Sequence, residues 1–528
     1  MILVGAVAGG GDHVVRAVAV AACSLAIVPA GLRWLRVAQR EHYLTGAATR
    51  FALRWWGSAA PVNLVVLVVA LAGIVVGASR PAAAFATAAA VVIGPVGLAV
   101  RGRSAPMAWT RRARTLAAVW AVLQAAAVAG GVVAGVGPVV AATAALWAPL
   151  FVDAACALTA PVERHLGAAH VARATARLRR VAPRVVAITG SYGKTSTKGY
   201  VAHLVGGNRS VVASPASFNN RAGLARAVNE HLADGTEVFV AEMGTYGPGE
   251  IAALCAWVRP DVAVITAIGP VHLERFGSED RIVSAKAEIL EGASVVVLVV
   301  DDPRLAELAD RAELAGGEGG GVTVWRVSGR DPGADVAVLE GPGGLSLSVR
   351  GDPVAGPVAV QGQPGNVAAA VAVALELGVA VDEVARRLAT LPTAPHRLEA
   401  AVGTGGVHVL DDTYNANPAG SRAALGALTR AGDPDKRRVV VTPGMVELGP
   451  VQAEENAAFA RAAADVATDL VVVGRTNRRA LLQGWRGVAG AGAVVVVPTR
   501  QQATGWVRSH LGEGDAVLYE NDLPDHYP

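Results

Sequence analysis

Residues 184–205 read RVVAITGSYGKTSTKGYVAHLV, and their types and spacing can bind a polyphosphate. Val185, Val186, Ala187 and Ile188 form an apolar run that predicts a strand. A glycine-bounded turn follows, and then a helical pattern. In such a turn the backbone N–H groups of Gly190, Ser191, Tyr192, Gly193, Lys194 and Thr195 can wrap phosphate oxygens, with Ser196 next in the first helical turn. The helix N-terminus adds partial positive charge. Lys194 is expected to reach the β- and γ-phosphates, and the Thr195 hydroxyl to ligate Mg²⁺. A bare Gly-Lys-Thr also reads as a surface turn; here strand, spacing and helix agree on a nucleotide. The spacing is not the longer G-x-x-x-x-G-K-[ST] form, because Ile188 stands where its first glycine would be.

Other polar residues fall where apolar runs end. Glu242 closes EVFVAEM, and His272 follows VAVITAIGPV. Lys286 and Glu288 lie two apart in AKAEIL, and Asn219 and Asn220 lie in SFNNRAG after VVASP. Each has a plain alternative: a surface lysine at 286, a turn histidine at 272. Asn366, opening the Ala-rich run GNVAAAVAVALELG, reads as a helix cap as readily as a ligand contact. PTAPHRLEAA, VLDDTYNANPAGSRAAL and PGMVELG follow.

The short T-G-S-Y-G-K-T-S loop and these downstream motifs, in this order, resemble the Mur ligase family. These are ATP-dependent amide-forming enzymes of peptidoglycan assembly, and the likeness is greatest to the branch that adds D-alanyl-D-alanine. It covers about residues 184 to 528. The resemblance implies that Glu242 and His272 join Thr195 in binding Mg²⁺, and that Lys286 is carbamylated. An oxygen ligand on a lysine stem suits a hard cation, which an ammonium would repel. Lys194, Glu242, His272 and Lys286 are then the catalytic candidates. Asn366 matches an adenine contact, and Arg397 lies in the H-R-x-E junction of His396, Arg397 and Glu399. Asp412, Tyr414, Asn415 and Asn417 match D-D-x-Y-N-A-N-P, beside the nucleotide and the cleft. Asn219 and Asn220 are substrate candidates. The implied chemistry makes an acyl phosphate from ATP and a carboxylate, which an amine then captures. The chain departs from the branch in two places. No Asp precedes Met445, and the end reads AVLYENDLPDHYP where the branch has K-G-S-R. Glu520 and Asp522 are expected to form an acidic lip that favours an amine over a carboxylate.

Composition points to lipid for the rest. Hydrophobic residues make up 52% of the 528 and charged ones 17%, a balance rare in soluble enzymes. Apolar stretches near 14–32, 59–78, 81–100, 115–135 and 138–158 each have about the ~20 residues that cross a bilayer. Arginines cluster between the first and second stretches (Arg33, Arg36, Arg40, Arg50, Arg54), between the third and fourth (Arg101, Arg103, Arg111, Arg112, Arg114) and after the fifth. That alternation predicts five crossings, with everything after residue 160 on the cytoplasmic side of a bacterial plasma membrane. The stretches are nearly free of charge, so an anchor or lipid-substrate platform is expected in place of a pump. Aromatic residues are 5% and form no basic stripe, which argues against nucleic acid as a partner. Cys23, Cys156 and Cys255 lack metal or disulfide spacing.

The expected fold is therefore multi-domain. A membrane bundle of about five helices (1–162) and a basic linker (163–183) lead into an α/β P-loop ATPase domain (184–394). An α/β Rossmann-like C-terminal domain (395–528) ends the chain. The expected function is a membrane-anchored ATP- and Mg²⁺-dependent ligase in cell-envelope biosynthesis. It would join a carboxylate acceptor, small or lipid-linked, to an amino acid or peptide amine; a companion ligase is compatible with this reading. Two alternatives stand beside it: a poly-amino-acid synthase similar to the poly-γ-glutamate ligases, and a non-catalytic nucleotide-binding scaffold.

Overall fold

The computed structural model describes every residue except 1, 58–60, 101–106, 216–217, 317–320, 361, 393–397, 404, 415, 524–526 and 528. The chain divides into two units. One comprises Met1–Leu166 with Leu523–Pro528, and the other Gly167–Asp522.

The first unit is helical. Its helices are Ile2–Arg40, Ala47–Gly57, Pro61–Gly77, Ala84–Ile93, Arg111–Val133, Gly137–Leu146 and the first half of Ala148–Val181. Among the described residues two helices, Asp12–Arg40 and Arg111–Val133, are long and apolar enough to cross a membrane; counting two bent pairs as one span each raises this to four. The expectation of five spans is corrected on that basis. The stretch 81–100 is the one that fails. Its helix stops at Ile93, because Gly94 turns extended (φ −100°, ψ 162°) and Pro95 offers no N–H to continue it. The 138–158 stretch is bent by 74° between Gly137–Leu146 and Ala148–Val181. Arg101 and Arg103, two of the orienting arginines, lie outside the described residues.

Arg33 also departs from the sequence reading, which placed it outside the first span. It is buried within the unit at 6% exposure. Its guanidinium donates to the carbonyls of Val91 (2.9 Å), Val92 (2.6 Å) and Gly94 (2.8 Å). These are carbonyls that a terminating helix leaves without partners. Asp153 serves the opposite kind of end. Its carboxylate accepts from Ala48 N (3.2 Å) and Thr49 N (2.8 Å) in the first turn of Ala47–Gly57. Both charges thus act as caps. In the C-terminal tail, the Tyr527 ring meets Phe51 edge-on at 5.2 Å.

The second unit carries two sheets. In the first, strands run β1 (Arg184–Thr189), β2 (Val211–Ala213), β3 (Val238–Glu242), β4 (Val262–Ile265), β5 (Val295–Val299), β6 (Thr323–Ser328), β7 (Val336–Gly341), β8 (Gly344–Val349) and β9 (Asp352–Val358). Their spatial order is β2-β3-β1-β4-β5-β6-β7-β8-β9, parallel as far as β7 and antiparallel beyond it. β3, β4 and β5 are buried along their whole length, as helix-covered parallel strands are. This is why EVFVAEM, VAVITAI and VVVLVV read as continuous apolar runs. β1 lies between β3 and β4, so the order reverses there and a crevice opens beyond its carboxyl end. Register sets Glu242 opposite Ile188 and Ile265 opposite Thr189. The loops after β1, β3 and β4 therefore meet at one place.

The second sheet runs β10 (Glu399–Val402), β11 (His408–Asp412), β15 (Ala516–Glu520), β12 (Arg438–Thr442), β13 (Asp469–Val473) and β14 (Ala493–Val497) in space. Only the β10–β11 pair is antiparallel. RVVVTPG, DLVVVG and AVVVVP supply β12, β13 and β14.

Arg33→Met should strip the carbonyls at 91, 92 and 94 of their charged donor. The expected result is a loss of about 2–3 kcal/mol from the helical unit, seen as a lowered apparent melting temperature in detergent, with nucleotide binding by the second unit unchanged.

Candidate active site

The turn after β1 is built around two glycines. Gly190 has φ +152° and Gly193 φ +79°. A Cβ at 193 would lie 2.1 Å from the Asn366 side-chain oxygen, and one at 190 would lie 2.0 Å from the Thr266 hydroxyl. Both positions are closed to any side chain. Asn366, from the first turn of the Pro364–Glu376 helix, is thus packed directly on the phosphate loop. The loop after β4 braces it from the other side. Ser191 N donates to Ala267 O (2.7 Å), the Ser191 hydroxyl bonds both Gly269 O and Gly269 N at 3.0 Å, and Thr266 donates to Tyr192 O. Lys194 opens the Lys194–Val205 helix, and its ammonium folds back on Gly190 O at 2.7 Å.

Glu242, at the end of β3, is 2% exposed and fully engaged. One carboxylate oxygen accepts from the Thr195 hydroxyl (3.0 Å) and the Lys198 ammonium (2.9 Å), and the other from the Asn219 amide (3.1 Å). Burial alone would raise its pKa. The charges of Lys198 and Lys194, with hydrogen bonds from Lys198 and Asn219, outweigh burial and hold the carboxyl below its ordinary range. Lys198 was not among the residues singled out from the sequence. Its signal was its place four residues after Lys194, on the same helix face.

Lys286 is 5% exposed on the Glu279–Ala287 helix. Burial, reinforced by the charge of Lys194, pushes its pKa well below that of an ordinary lysine. Glu288 turns away to other work. It accepts from Gly249 N (2.6 Å) and Ala252 N (3.0 Å) at the start of the Glu250–Val258 helix.

His272 sits in the left-handed region at φ +59°, its ring 4.7 Å from that of Tyr246. Its Nδ1 meets the carboxylate of Glu447, which also takes Arg275 at 3.4 Å. Burial lowers the His272 pKa and Lys194 lowers it further; Glu447 opposes them without reversing the sign. Lys194 therefore acts electrostatically on Glu242, His272 and Lys286 alike, so the four catalytic candidates share one neighbourhood. Glu447, Arg275 and Tyr246 went unassigned in the sequence, because their meeting with His272 spans elements up to 175 residues apart.

Among the described residues no three His, Cys, Asp or Glu side chains form a metal cage. Of the three residues expected to bind the metal, His272 turns its Nδ1 to Glu447, which leaves Nε2 as its other donor atom. Thr195 and Glu242 are adjacent, with oxygens 3.0 Å apart and the carboxylate ionised. Hard oxygen donors of this kind suit Mg²⁺, which keeps most of its shell for water and phosphate.

The remaining candidates separate. Asn220 caps the Arg221–His231 helix, accepting from Gly223 N at 2.9 Å, and Asn417 does the same for Pro418–Arg430 through Gly420 N at 2.8 Å. Tyr414 is exposed. Arg397 and Asn415 lie outside the described residues. The expected acidic lip at the chain end is corrected. Glu520 is 1% exposed, in register with Asp412 on β11, and bonded to the Ser421 hydroxyl at 2.5 Å. Burial, then the neighbouring Asp412 carboxylate, raises its pKa well above the ordinary value. Its partner strands desolvate it, and that burial favours the protonated form. Asp522 is paired with Arg500.

Comparison with known proteins agrees with this geometry. The Mur ligase middle domain profile matches residues 188–323, and the profile of the Mur ligase glutamate ligase domain matches 396–519. A UDP-N-acetylmuramoyl-tripeptide–D-alanyl-D-alanine ligase of Mycobacterium leprae is 35% identical over 371 residues, which covers 63% of this chain and 70% of that one. The Bacillus subtilis protein of the same name is 31% identical over 284 residues, covering 53% and 60%. The crystal structure of MurF ligase from Thermotoga maritima in complex with ADP superposes with a TM-score of 0.57 at 27% identity, covering 67% of this chain and 80% of that one.

Two substitutions test the charges described. Lys198→Met should leave the Glu242 carboxylate buried without its closest cation and destabilise the second unit by about 3–5 kcal/mol. Adding Glu242→Gln should restore much of that loss in a denaturant titration. Glu520 holds its proton more tightly when folded, so its contribution to stability is present below its unfolded pKa and is lost as pH rises toward the folded one. Glu520→Gln should therefore raise the melting temperature more at pH 8 than at pH 5.

Proposed function

The chain belongs to the Mur ligase family, and from that premise we propose that it extends a carboxylate-bearing cell-envelope precursor by one amino acid or peptide at a membrane surface. It is an ATP-dependent carbon–nitrogen ligase of the MurF type, acting on peptidoglycan precursors. The observation that carries the proposal is the single neighbourhood of Lys194, Glu242, His272 and Lys286 beneath the glycine turn.

In the reaction the acceptor carboxylate attacks the γ-phosphorus of ATP and ADP departs. The substrate amine then adds to the acyl carbon, and phosphate leaves as the amide forms. The nucleophile is the amine, so the protein's work is positioning and charge neutralisation. The turn after β1 would cradle the phosphates through the amides of Tyr192 to Thr195, the Ser191 N–H being given to Ala267 O, and Lys194 would move from Gly190 O onto the transferring group. Thr195 and Glu242 are the residues that would hold Mg²⁺, which when bound supplies positive charge to the phosphate oxygens. Asn366, packed on Gly193, would contact the nucleoside side of a nucleotide held by the loop.

Lys286 completes the charge balance. The charge of Lys194 opposes a second positive charge at Lys286, and burial already favours the neutral amine there. A neutral amine adds CO₂ and releases a proton, giving a carbamate. A carbamate would convert the Lys194–Lys286 repulsion into attraction and would add an oxygen donor of the kind that a hard cation takes.

The residues before 188 lie outside both family profiles. The Asp12–Arg40 and Arg111–Val133 helices support a membrane anchor, with the ligase unit on the cytoplasmic side where ATP is. An anchor in this position suits an acceptor presented at the bilayer. The relatives' names give a UDP-muramoyl tripeptide and D-alanyl-D-alanine as their substrates; these are the first acceptor and amine to try.

Lys194→Ala should abolish amine-dependent ADP release by purified protein supplied with acceptors of this class; unchanged turnover would sink the proposal. Removing dissolved CO₂ should slow the wild type and added bicarbonate should restore it. Lys286→Ala should lose about 10²-fold or more in rate and show no response to bicarbonate.

A further inference from the structure

Glu447 comes from the loop between β12 and the Gln452–Ala464 helix, in the second sheet's half of the unit, yet its carboxylate lies on residues of the first. It takes His272 through Nδ1 and Arg275 at 3.4 Å. Its carbonyl accepts from Glu274 N at 3.4 Å, and Gly449 packs against the backbone of Leu273 and Glu274. The contact is a small one, but the loop that makes it is held with unusual firmness. Three buried asparagines, two of them outside the local helix, bind its backbone. Asn456 spans Met445, accepting from its N–H (2.8 Å) and donating to its carbonyl (2.9 Å). Asn477 donates to Pro443 O (3.0 Å) and Met445 O (2.9 Å), and Asn521 donates to Gly444 O (2.7 Å). Gly444 has φ +78° with no room for a Cβ, which would lie 2.3 Å from the Asn456 oxygen. A surface loop needs none of this. A loop that must deliver one carboxylate to a fixed point does.

What the carboxylate does follows from imidazole chemistry. With Nδ1–H donated to a carboxylate, the ring's remaining lone pair is on Nε2, and the ring plane is fixed. Carboxylate–histidine pairs of this kind set the tautomer and basicity of histidines that bind cations. Arg275 holds the same carboxylate from its other oxygen, and Tyr246 flanks both the His272 ring and the Arg275 guanidinium, the latter 4.6 Å above its ring. The histidine belongs to the phosphate-binding sheet, and the carboxylate belongs to the other.

We propose that Glu447 is a positioning residue through which apposition of the two sheets completes the phosphate site: only when the second sheet's loop reaches the first does His272 present Nε2 to a phosphate-bound cation. The inference rests on the ligase reading, but its test does not require turnover. It predicts that nucleotide alone binds without Glu447, whereas the divalent cation does not bind as well.

The test uses the full-length protein in detergent, with Mn²⁺ and ADP as probes. Mn²⁺ affinity of the ADP complex is read from the free-ion EPR signal, and metal-free ADP affinity by calorimetry. Glu447→Gln and Glu447→Ala should weaken Mn²⁺ by 10–100-fold and leave metal-free ADP affinity within about 2-fold of wild type. Glu447→Asp should recover part of the loss. His272→Ala should weaken Mn²⁺ similarly, and the double variant His272→Ala/Glu447→Ala should be no worse than His272→Ala alone. Unchanged Mn²⁺ affinity in both Glu447 variants overturns the proposal. So does additive loss in the double variant, which would mean that Glu447 acts by another route. Absence of amine-dependent ADP release by the wild type would refute the ligase reading alone, because the Mn²⁺ comparison stands without it. If Glu447→Ala unfolds, the isosteric Glu447→Gln carries the same comparison.

Discussion

A buried carboxylate between two lysines governs this structure. Glu242 lies at the base of the phosphate loop with Lys198 at 2.9 Å and Lys194 near enough to depress its pKa. Isolated, any of these charges would be strongly disfavoured in the interior. Together they still leave the pocket positive, and that charge adds to burial in lowering the pKa of Lys286. Such a surplus of positive charge under a glycine turn favours an anion over a neutral ligand.

That constraint explains the framing of the site. Two positive-φ glycines let the turn approach Thr266 and Asn366 more closely than any side chain allows. Ser191 and Thr266 then tie the loops after β1 and β4 together. Parallel pairing on both sides of β1 brings the ends of β3 and β4 level with it, so a residue at each strand end arrives at the same height. The second sheet approaches through the Pro443–Leu448 loop, stiffened by Asn456, Asn477 and Asn521. Its own acid, Glu520, is kept inside beside Asp412, where it accepts from Ser421 and meets almost no solvent.

The helical unit obeys a different rule. With apolar faces turned outward, its few charges must find backbone partners inside. Arg33 ends one helix and Asp153 begins another. This is why arginine counting along the sequence misplaced Arg33: the same residue type that marks a cytoplasmic flank can also close a helix broken by Gly94 and Pro95. Hydropathy over 81–100 saw only apolar residues and could not see that the helix stops at Ile93.

The sequence by itself determined the glycine turn and the order of strands and helices around it, which follow from local pattern: apolar runs bounded by glycine, and polar residues such as Glu242 at strand ends, where a parallel sheet exposes them. Roles for Glu242, His272 and Lys286 came from the family resemblance of the motifs, not from local pattern. Tertiary structure alone decided which of those residues touch. Lys198 joined Glu242, Glu447 joined His272 across 175 residues, and Glu520 went inward instead of forming a lip. The physical reason is that desolvation and pairing depend on what surrounds a charge. Residue spacing along the chain records which groups are available, whereas only the folded neighbourhood fixes whether each is ionised, buried or bound.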